Sequence, residues 1–264
     1  MKLEKQIILV TAATRGIGLA TVKAAAQEGA TVYMAARNMD RARELTREMD
    51  AKGWRVHCVY NDAAKPETFQ TMVDEVIKNE GRIDTLVNNF GYSDPAVDLD
   101  IAHTKPEDFL HIVELNVRSV FLASQAAILH MRDIHKGNIV NVSALDSEVP
   151  NITQIGFGTA KAAINHLTRQ IAVQEARHRI RCNAVLPGVT ATEALNEMPA
   201  DFHDLVLHHT PIPRFATKEE IAEAVMYFAS PTSTFTTGQL LAVAGGFGMP
   251  TPLFSDKLDQ LEGR

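Results

Sequence analysis

Cysteine is scarce in this chain. The two present, Cys58 and Cys182, form no CxxC pair and have no histidine cluster beside them. That excludes a disulfide framework and a structural zinc site of the usual spacing. Both thiols fall in apolar, strand-like runs, where a reduced core cysteine is the ordinary expectation. Long apolar runs are missing too. Nothing approaches the ~20 residues needed to span a bilayer, and the charged start Met1-Lys2-Leu3-Glu4-Lys5-Gln6 has no apolar leader stretch. A soluble, cytoplasmic protein without membrane contact is expected. Basic charge is in deficit, with 26 Lys and Arg against 32 Asp and Glu and a net charge of -6. Such a surface gains no general attraction to phosphate backbones, so nucleic acid is not an expected partner. No His, Asp or Glu cluster has ligand spacing, so no metal is expected. Repeats, low-complexity segments and linkers are absent. The 264 residues, 45% hydrophobic and 22% charged, suit one large domain spanning 1–264.

What the chain does have is a rhythm of short β-rich runs and longer helical patterns. An apolar run from Ile7 to Thr11 leads through a turn into a helix from about Gly16 to Glu28. Thr31 to Ala36 is the next strand, then a charged helix from about Asp40 to Lys52. Val56 to Tyr60 is followed by a helix from Pro66 to Asn79. Thr85 to Asn88 is opened by Arg82-Ile83-Asp84, and a long helical pattern runs from about Pro106 to Arg132. Asn138 to Val142 precedes a helix from Gln154 to Glu175. Ile180 to Val185 is a strand, Lys218 to Ala229 a helix, and Leu240 to Val243 a last short strand. Strands buried on both faces read as continuous apolar runs. Repeated βα units of this kind therefore imply an α/β, doubly wound fold with a mostly parallel seven-stranded sheet. Thr190 to Arg214 breaks the rhythm. It carries Pro199, Pro211 and Pro213, and an apolar side of Leu195, Met198, Phe202, Leu205 and Val206. A long irregular insertion of this sort, at about 190–214, is expected to act as a substrate lid, and its apolar side suits a flat hydrophobic ligand.

The first strand runs into Thr11-Ala12-Ala13-Thr14-Arg15-Gly16-Ile17-Gly18, which opens a helix. Backbone N–H groups at such a start bind a pyrophosphate, and Gly16 and Gly18 permit its close approach. This is the turn of a Rossmann fold. In NAD binders an acid about 20 residues further on accepts the ribose 2′-OH. Here the second strand ends Ala35-Ala36-Arg37-Asn38, with no acid. Arg37, with Arg15 in the adjacent turn, suits a 2′-phosphate instead, so NADP(H) is expected over NAD(H).

With these residues in view, nearly the whole chain resembles the classical short-chain dehydrogenase/reductase family. The glycine turn is similar to the family's TGxxxGxG, with Ala12 in place of the first Gly. Asn61-Asp62 matches the acidic position that contacts the adenine. Asn88-Asn89-Phe90-Gly91 resembles NNAG, which steadies the sheet beside the cofactor. Asn116 matches the helix Asn of the proton relay, and Lys161 the Lys of YxxxK. Pro187-Gly188, followed by Thr190 and Thr192, resembles the segment whose backbone and Thr hold the nicotinamide amide. The resemblance extends to bacterial bile-acid hydroxysteroid dehydrogenases, especially the 7α type, through Ala13 to Ala20, Leu86 to Gly91, Asp98-Leu99-Asp100 and Ile180 to Gly188. It implies a steroid or bile-acid substrate, with the oxidised hydroxyl at 7α, 12β or another position. It also implies a homotetramer built through the two long helices. A reductase of other carbonyls, such as 3-oxoacyl thioesters, is the alternative enzyme.

The resemblance also exposes a deficit. The family's Tyr stands four residues before the Lys, on the same helix face, and passes a proton to or from the substrate oxygen. A Ser thirteen residues before the Tyr donates to that oxygen. In this chain those positions hold Phe157 and Ala144. Ser143 is adjacent, but strand alternation points it the other way. Three explanations are open at this point: a hydroxyl-deleted variant of an active enzyme, a natural pseudoenzyme that binds NADP(H) and a ligand, or a replacement acid, with Tyr92, Ser143 and Ser147 as candidates. Asp146 and Glu148 are candidates for contact with a substrate hydroxyl. The His208-His209 pair is expected to be solvated, and the Gly- and Pro-rich tail from Gly245 to Pro252 to cover the site or a neighbouring subunit.

Overall fold

The computed structural model describes residues 3–193, 195, 200–251 and 253–263. Met198 and Pro199 of the expected lid, and Pro252 of the tail, lie outside the described residues. The chain alternates β1 (Ile7–Val10), α1 (Gly16–Gln27), β2 (Thr31–Ala36), α2 (Met39–Asp50), β3 (Val56–Tyr60), α3 (Glu67–Glu80), β4 (Thr85–Asn88), α4 (Pro106–Asp133), β5 (Gly137–Val142), α5 (Ile155–Glu175), β6 (Ile180–Pro187), α6 (Ala200–His208), α7 (Lys218–Ala229), β7 (Leu240–Val243) and α8 (Phe254–Glu262). The strands form one seven-stranded sheet in the order β3-β2-β1-β4-β5-β6-β7. Every pairing is parallel. The strand order reverses between β1 and β4, and a crevice opens there outside the carboxyl ends of the strands.

The central strands are buried residue after residue because both faces are covered, whereas the edge strands β3 and β7 are only partly buried. On one face Ile8, Val10, Val32, Met34, Val140 and Val185 pack with Val22, Leu45, Ile221 and Phe228 of α1, α2 and α7. On the other, Ile7, Leu9, Tyr33, Leu86, Ile139 and Cys182 pack with Phe69, Val76, Ala123, Met131 and Ile171 of α3, α4 and α5. Consecutive residues alternate between the two layers, as period-2 geometry requires. Helix α4 is by length and composition apolar enough to cross a bilayer, though Glu114, Asn116 and Arg118 interrupt its apolar residues. Its residues Ile112, Val120, Ala123, Ala127 and Met131 are buried, the pattern of a core helix. The alternating βα pattern does not extend to α8, although Phe254, Leu258 and Leu261 stand at i, i+4 and i+7. In the fold Leu258 and Leu261 stay exposed.

At the amino ends of the central strands, opposite the crevice, Asp84 ties β1 to β4 and β5. Its carboxylate accepts from the Ile7 N–H at 2.9 Å, Arg82 Nε at 3.1 Å and Lys136 Nζ at 2.6 Å. Burial opposes its charge, but the bonds from Lys136, Ile7 and Arg82 outweigh burial and hold the carboxyl below its ordinary range. A depressed folded value means stability that is present above the unfolded carboxylate pKa and lost as pH falls through the folded one. Asp84→Asn is therefore expected to lower unfolding free energy by about 1.5–3 kcal/mol at pH 7. The gap from the parent should shrink below about pH 4. Urea unfolding at both pH values measures it; a gap that stays constant into acid would show that charge is not what Asp84 contributes.

Candidate active site

The turn after β1 is held from across the switch point. Thr11 is buried, and its hydroxyl accepts from the N–H groups of Asn89 at 2.9 Å and Phe90 at 3.3 Å. Asn89 returns its amide to the carbonyls of Thr11 (3.2 Å) and Ala12 (3.1 Å). Gly18 sits inside this clamp. A Cβ there would stand 2.5 Å from Asn89 Nδ2 and 2.7 Å from the Ala12 carbonyl oxygen, so no side chain fits. Ala12, where the family has Gly, takes a left-handed φ of 50°. Helix α1 then begins at Gly16 with Arg15 as N-cap, no side-chain cap and no acid in its first turn. An uncapped, acid-free helix start carries unsatisfied N–H groups and partial positive charge. Thr14 and Ile17 flank it, both partly exposed.

At the end of β2, Asn38 spends its side chain on capping α2 through the Arg41 N–H. Arg37 beside it is exposed, as is Arg15. Among the described residues neither has an ion-pair partner within 4 Å. Asn61 is buried and donates to Thr68 Oγ1, while the Asp62 carboxylate accepts from the Ala64 N–H in a tight turn.

Residues 91, 157 and 161 meet on the other side of the crevice. A Cβ on Gly91 would lie 3.4 Å from Lys161 Nζ and 4.0 Å from Phe157 Cε2. Lys161 is buried. Its ammonium donates to the Val142 carbonyl at 3.0 Å and weakly to that of Phe90 at 3.5 Å, and it sits 5.4 Å from the centre of the Phe157 ring. The Asn116 side chain is fully engaged. It accepts from the Tyr92 N–H and donates to the carbonyls of Tyr92 and Ile112, and so holds the 91–92 turn.

Of the replacement acids, Ser143 points at α5 and donates to the Lys161 carbonyl, as strand alternation implies. Ser147 donates to the Ala144 carbonyl and accepts from Asn165. The Tyr92 ring turns edge-on to His111. Glu148 accepts from Asn165. Burial pushes the Asp146 carboxyl up, against a bond from Asn151. Ala144 offers a buried methyl where the strand ends.

One residue whose role sequence reasoning did not find is Asp98. Fully buried, it accepts from the N–H groups of Gly156 at 2.7 Å and Phe157 at 3.0 Å, and its carbonyl accepts from Gln154. It caps α5 and fixes the backbone of position 157. The partners lie 58 residues apart, beyond any local capping pattern.

At the far end of β6, Pro187 is buried in the strand, and a Cβ on Gly188 would stand 2.7 Å from Ala244 Cβ. Thr190 donates to the Gly188 carbonyl. Thr192 reaches back to the phosphate turn, its methyl 3.7 Å from the Cβ position of Gly16. In the expected lid, Leu195 and Val206 are buried and Leu205 is exposed. His208 and His209 are exposed but not merely solvated. Ser255 of α8 donates to the His208 carbonyl and lies 2.7 Å from His209 Nδ1, and Asp259 stands 3.7 Å from His208. Among the described residues no group of acids, His and Cys is placed to hold a metal.

Compared with known proteins, residues 11–248 match a family model described as enoyl-(acyl carrier protein) reductase. The 7α-hydroxysteroid dehydrogenase of Clostridium sardiniense is 44% identical over 97% of this chain and 98% of its own. A solved 7α-hydroxysteroid dehydrogenase, complexed with NADH and 7-oxo glycochenodeoxycholic acid, superposes with TM-score 0.88 at 30% identity, over 93% of this chain and 95% of that one. A gluconate 5-dehydrogenase from Burkholderia cenocepacia, in complex with NADP and tartrate, gives TM-score 0.89 at 30% identity, over 95% and 98%.

Burial pushes the Lys161 ammonium down to about 8. The folded chain therefore loses this proton before the unfolded chain does. Stability is diminished below about pH 8 and recovered as pH rises from there towards 10.5. Lys161→Met removes the buried charge at similar volume. It is expected to gain on the order of 1–3 kcal/mol at pH 7 and to lack the alkaline rise. A less stable Met variant at pH 7 would show that the bonds to Val142 and Phe90 outweigh the burial.

Proposed function

The chain belongs to the short-chain dehydrogenase/reductase family, and within it we propose an NADP(H)-dependent hydroxysteroid dehydrogenase, acting on a bile acid, present here in a hydroxyl-deleted form that binds but turns over very slowly. The observation that carries this reading is the buried Lys161 ammonium, 5.4 Å from an apolar ring at position 157 instead of a phenol. The identity to the Clostridium sardiniense enzyme supports the steroid substrate. A cytoplasmic homotetramer belongs to the same reading, with the exposed Phe121, Leu129 and Val173 of α4 and α5 available for subunit contact.

The residues fit the cofactor. The uncapped start of α1 suits the pyrophosphate, and the bare Gly18 leaves the turn close enough for backbone contact. Arg15 and Arg37, without an ion-pair partner within 4 Å among the described residues and with no acid at the end of β2, suit the 2′-phosphate. Asn61 and Asp62 would border the adenine, and Pro187, Gly188, Thr190 and Thr192 the nicotinamide end. When bound, the nicotinamide exchanges a hydride with the carbon that bears the substrate oxygen. Lys161 would hold the adjoining ribose. Phe157 has no proton to give that oxygen, and Ala144 has no donor to stabilise it. Losing a general acid costs about 10²–10⁴-fold, and losing an oxyanion donor about 10²–10³-fold. The two positions act as a unit, so these factors do not multiply. Ser143 and Ser147 donate to backbone carbonyls and the Tyr92 ring lies edge-on to His111, which supports reading Ala144 and Phe157 as the positions that lack the donor and the acid.

Ala144→Ser combined with Phe157→Tyr should raise turnover of oxo and hydroxy bile acids at least about 100-fold, followed by NADPH absorbance. Equal rates in the parent and the restored chain would remove Ala144 and Phe157 from the catalytic positions. Binding of NADPH without turnover in either would point to a ligand-binding protein. In a separate titration, Arg37→Ala should weaken NADPH about tenfold and leave NADH nearly unchanged. Equal loss for both nucleotides would refute the 2′-phosphate assignment.

A further inference from the structure

The Glu193 carboxylate lies beside the start of α1. Gly16 is the first residue of α1, and the Glu193 carboxylate comes within 3.8 Å of the point where a Gly16 Cβ would be. Helix α1 has no acid in its own first turn, so this charge reaches the positive end of the helix from 177 positions away in the sequence. Two cations face the same carboxylate. Lys218, the first residue of α7, lies 3.4 Å from Oε1, and Arg15 is in electrostatic contact. The Glu193 backbone N–H, then Lys218 and Arg15, hold this carboxyl below its ordinary range, so it is ionised at neutral pH.

We propose that Glu193 determines cofactor affinity: its carboxylate occupies the pyrophosphate seat of the free protein, neutralises the α1 start, Arg15 and Lys218 there, and opposes the incoming dinucleotide. The proposal rests on the cofactor reading above. Two anions then compete for one positive region, and the affinity for NADPH depends on the charge at position 193. Glu193 is exposed, so substitution removes no core packing.

The test measures the NADPH dissociation constant by fluorescence titration for the parent, Glu193→Gln, Glu193→Lys and a control, Asp133→Asn. Asp133 is exposed at the end of α4, just before β5 and so at the amino end of the strands, opposite the start of α1. At low ionic strength Glu193→Gln should bind about three- to tenfold tighter, and Glu193→Lys tighter still. The differences should close towards 1 M salt, where screening acts within about 3 Å. Asp133→Asn should match the parent. Unchanged or weaker binding by Glu193→Gln, a difference that persists in high salt, or an equal gain in Asp133→Asn would each overturn the proposal while leaving the cofactor assignment intact. Failure of all forms to bind any nicotinamide nucleotide would overturn both.

Discussion

Gly18 lies so near Asn89 that one methyl group would overlap its amide, and that close approach sets the geometry of the crevice. The two elements belong to opposite halves of the sheet, joined only where the strand order reverses. Thr11 and Asn89 lock them with bonds from both side chains. Once Asn89 is fixed, Gly91 follows two residues later, and it borders both Lys161 and Phe157. Asn116 grips the next residue by its backbone. Asp98, further along the same loop, fixes the first amides of α5. One steric constraint at the switch point is thus transmitted along a single loop to Lys161 and Phe157.

Stability and function pull against each other within this arrangement. The sheet core is apolar on both faces, and the Asp84 carboxylate braces the amino ends of its central strands with well-paired charge. At the crevice the balance reverses. Lys161 holds a cation in a buried position with carbonyl partners and no carboxylate, and Ala12 holds a left-handed backbone without being glycine. Both work against folding, by desolvation and by steric strain respectively. Such unfavourable features concentrate where ligands bind.

How much of this could be read from residues alone depended on the range of the interaction. Strands β2 and β4 were legible because two-sided burial leaves continuous apolar runs; the partly buried edge strands β3 and β7 were legible from their β-rich composition, and all four begin and end where the sequence placed them. The glycine turn and the spacing of 157 to 161 were legible because both are local. The direction of Ser143 followed from strand alternation. Asp98 was visible only as part of a motif, since its partners are remote. The link from His208 and His209 to α8 was hidden for a related reason: Ser255 lies 47 and 46 residues on, and a histidine pair reads as solvent-facing until its neighbour is known. Glu193 was likewise an ordinary surface acid until the chain was folded.

The separation of Asp98 from the amides it caps has a temporal side. A local cap forms as soon as its helix does. This one must wait until the loop after β4 has been brought to the start of α5, and Asn89 must likewise find Thr11 from 78 residues away. Closing such distances is entropically slow. A chain emerging from synthesis would therefore have α1, α2 and their strands in hand before position 157 acquired its final backbone.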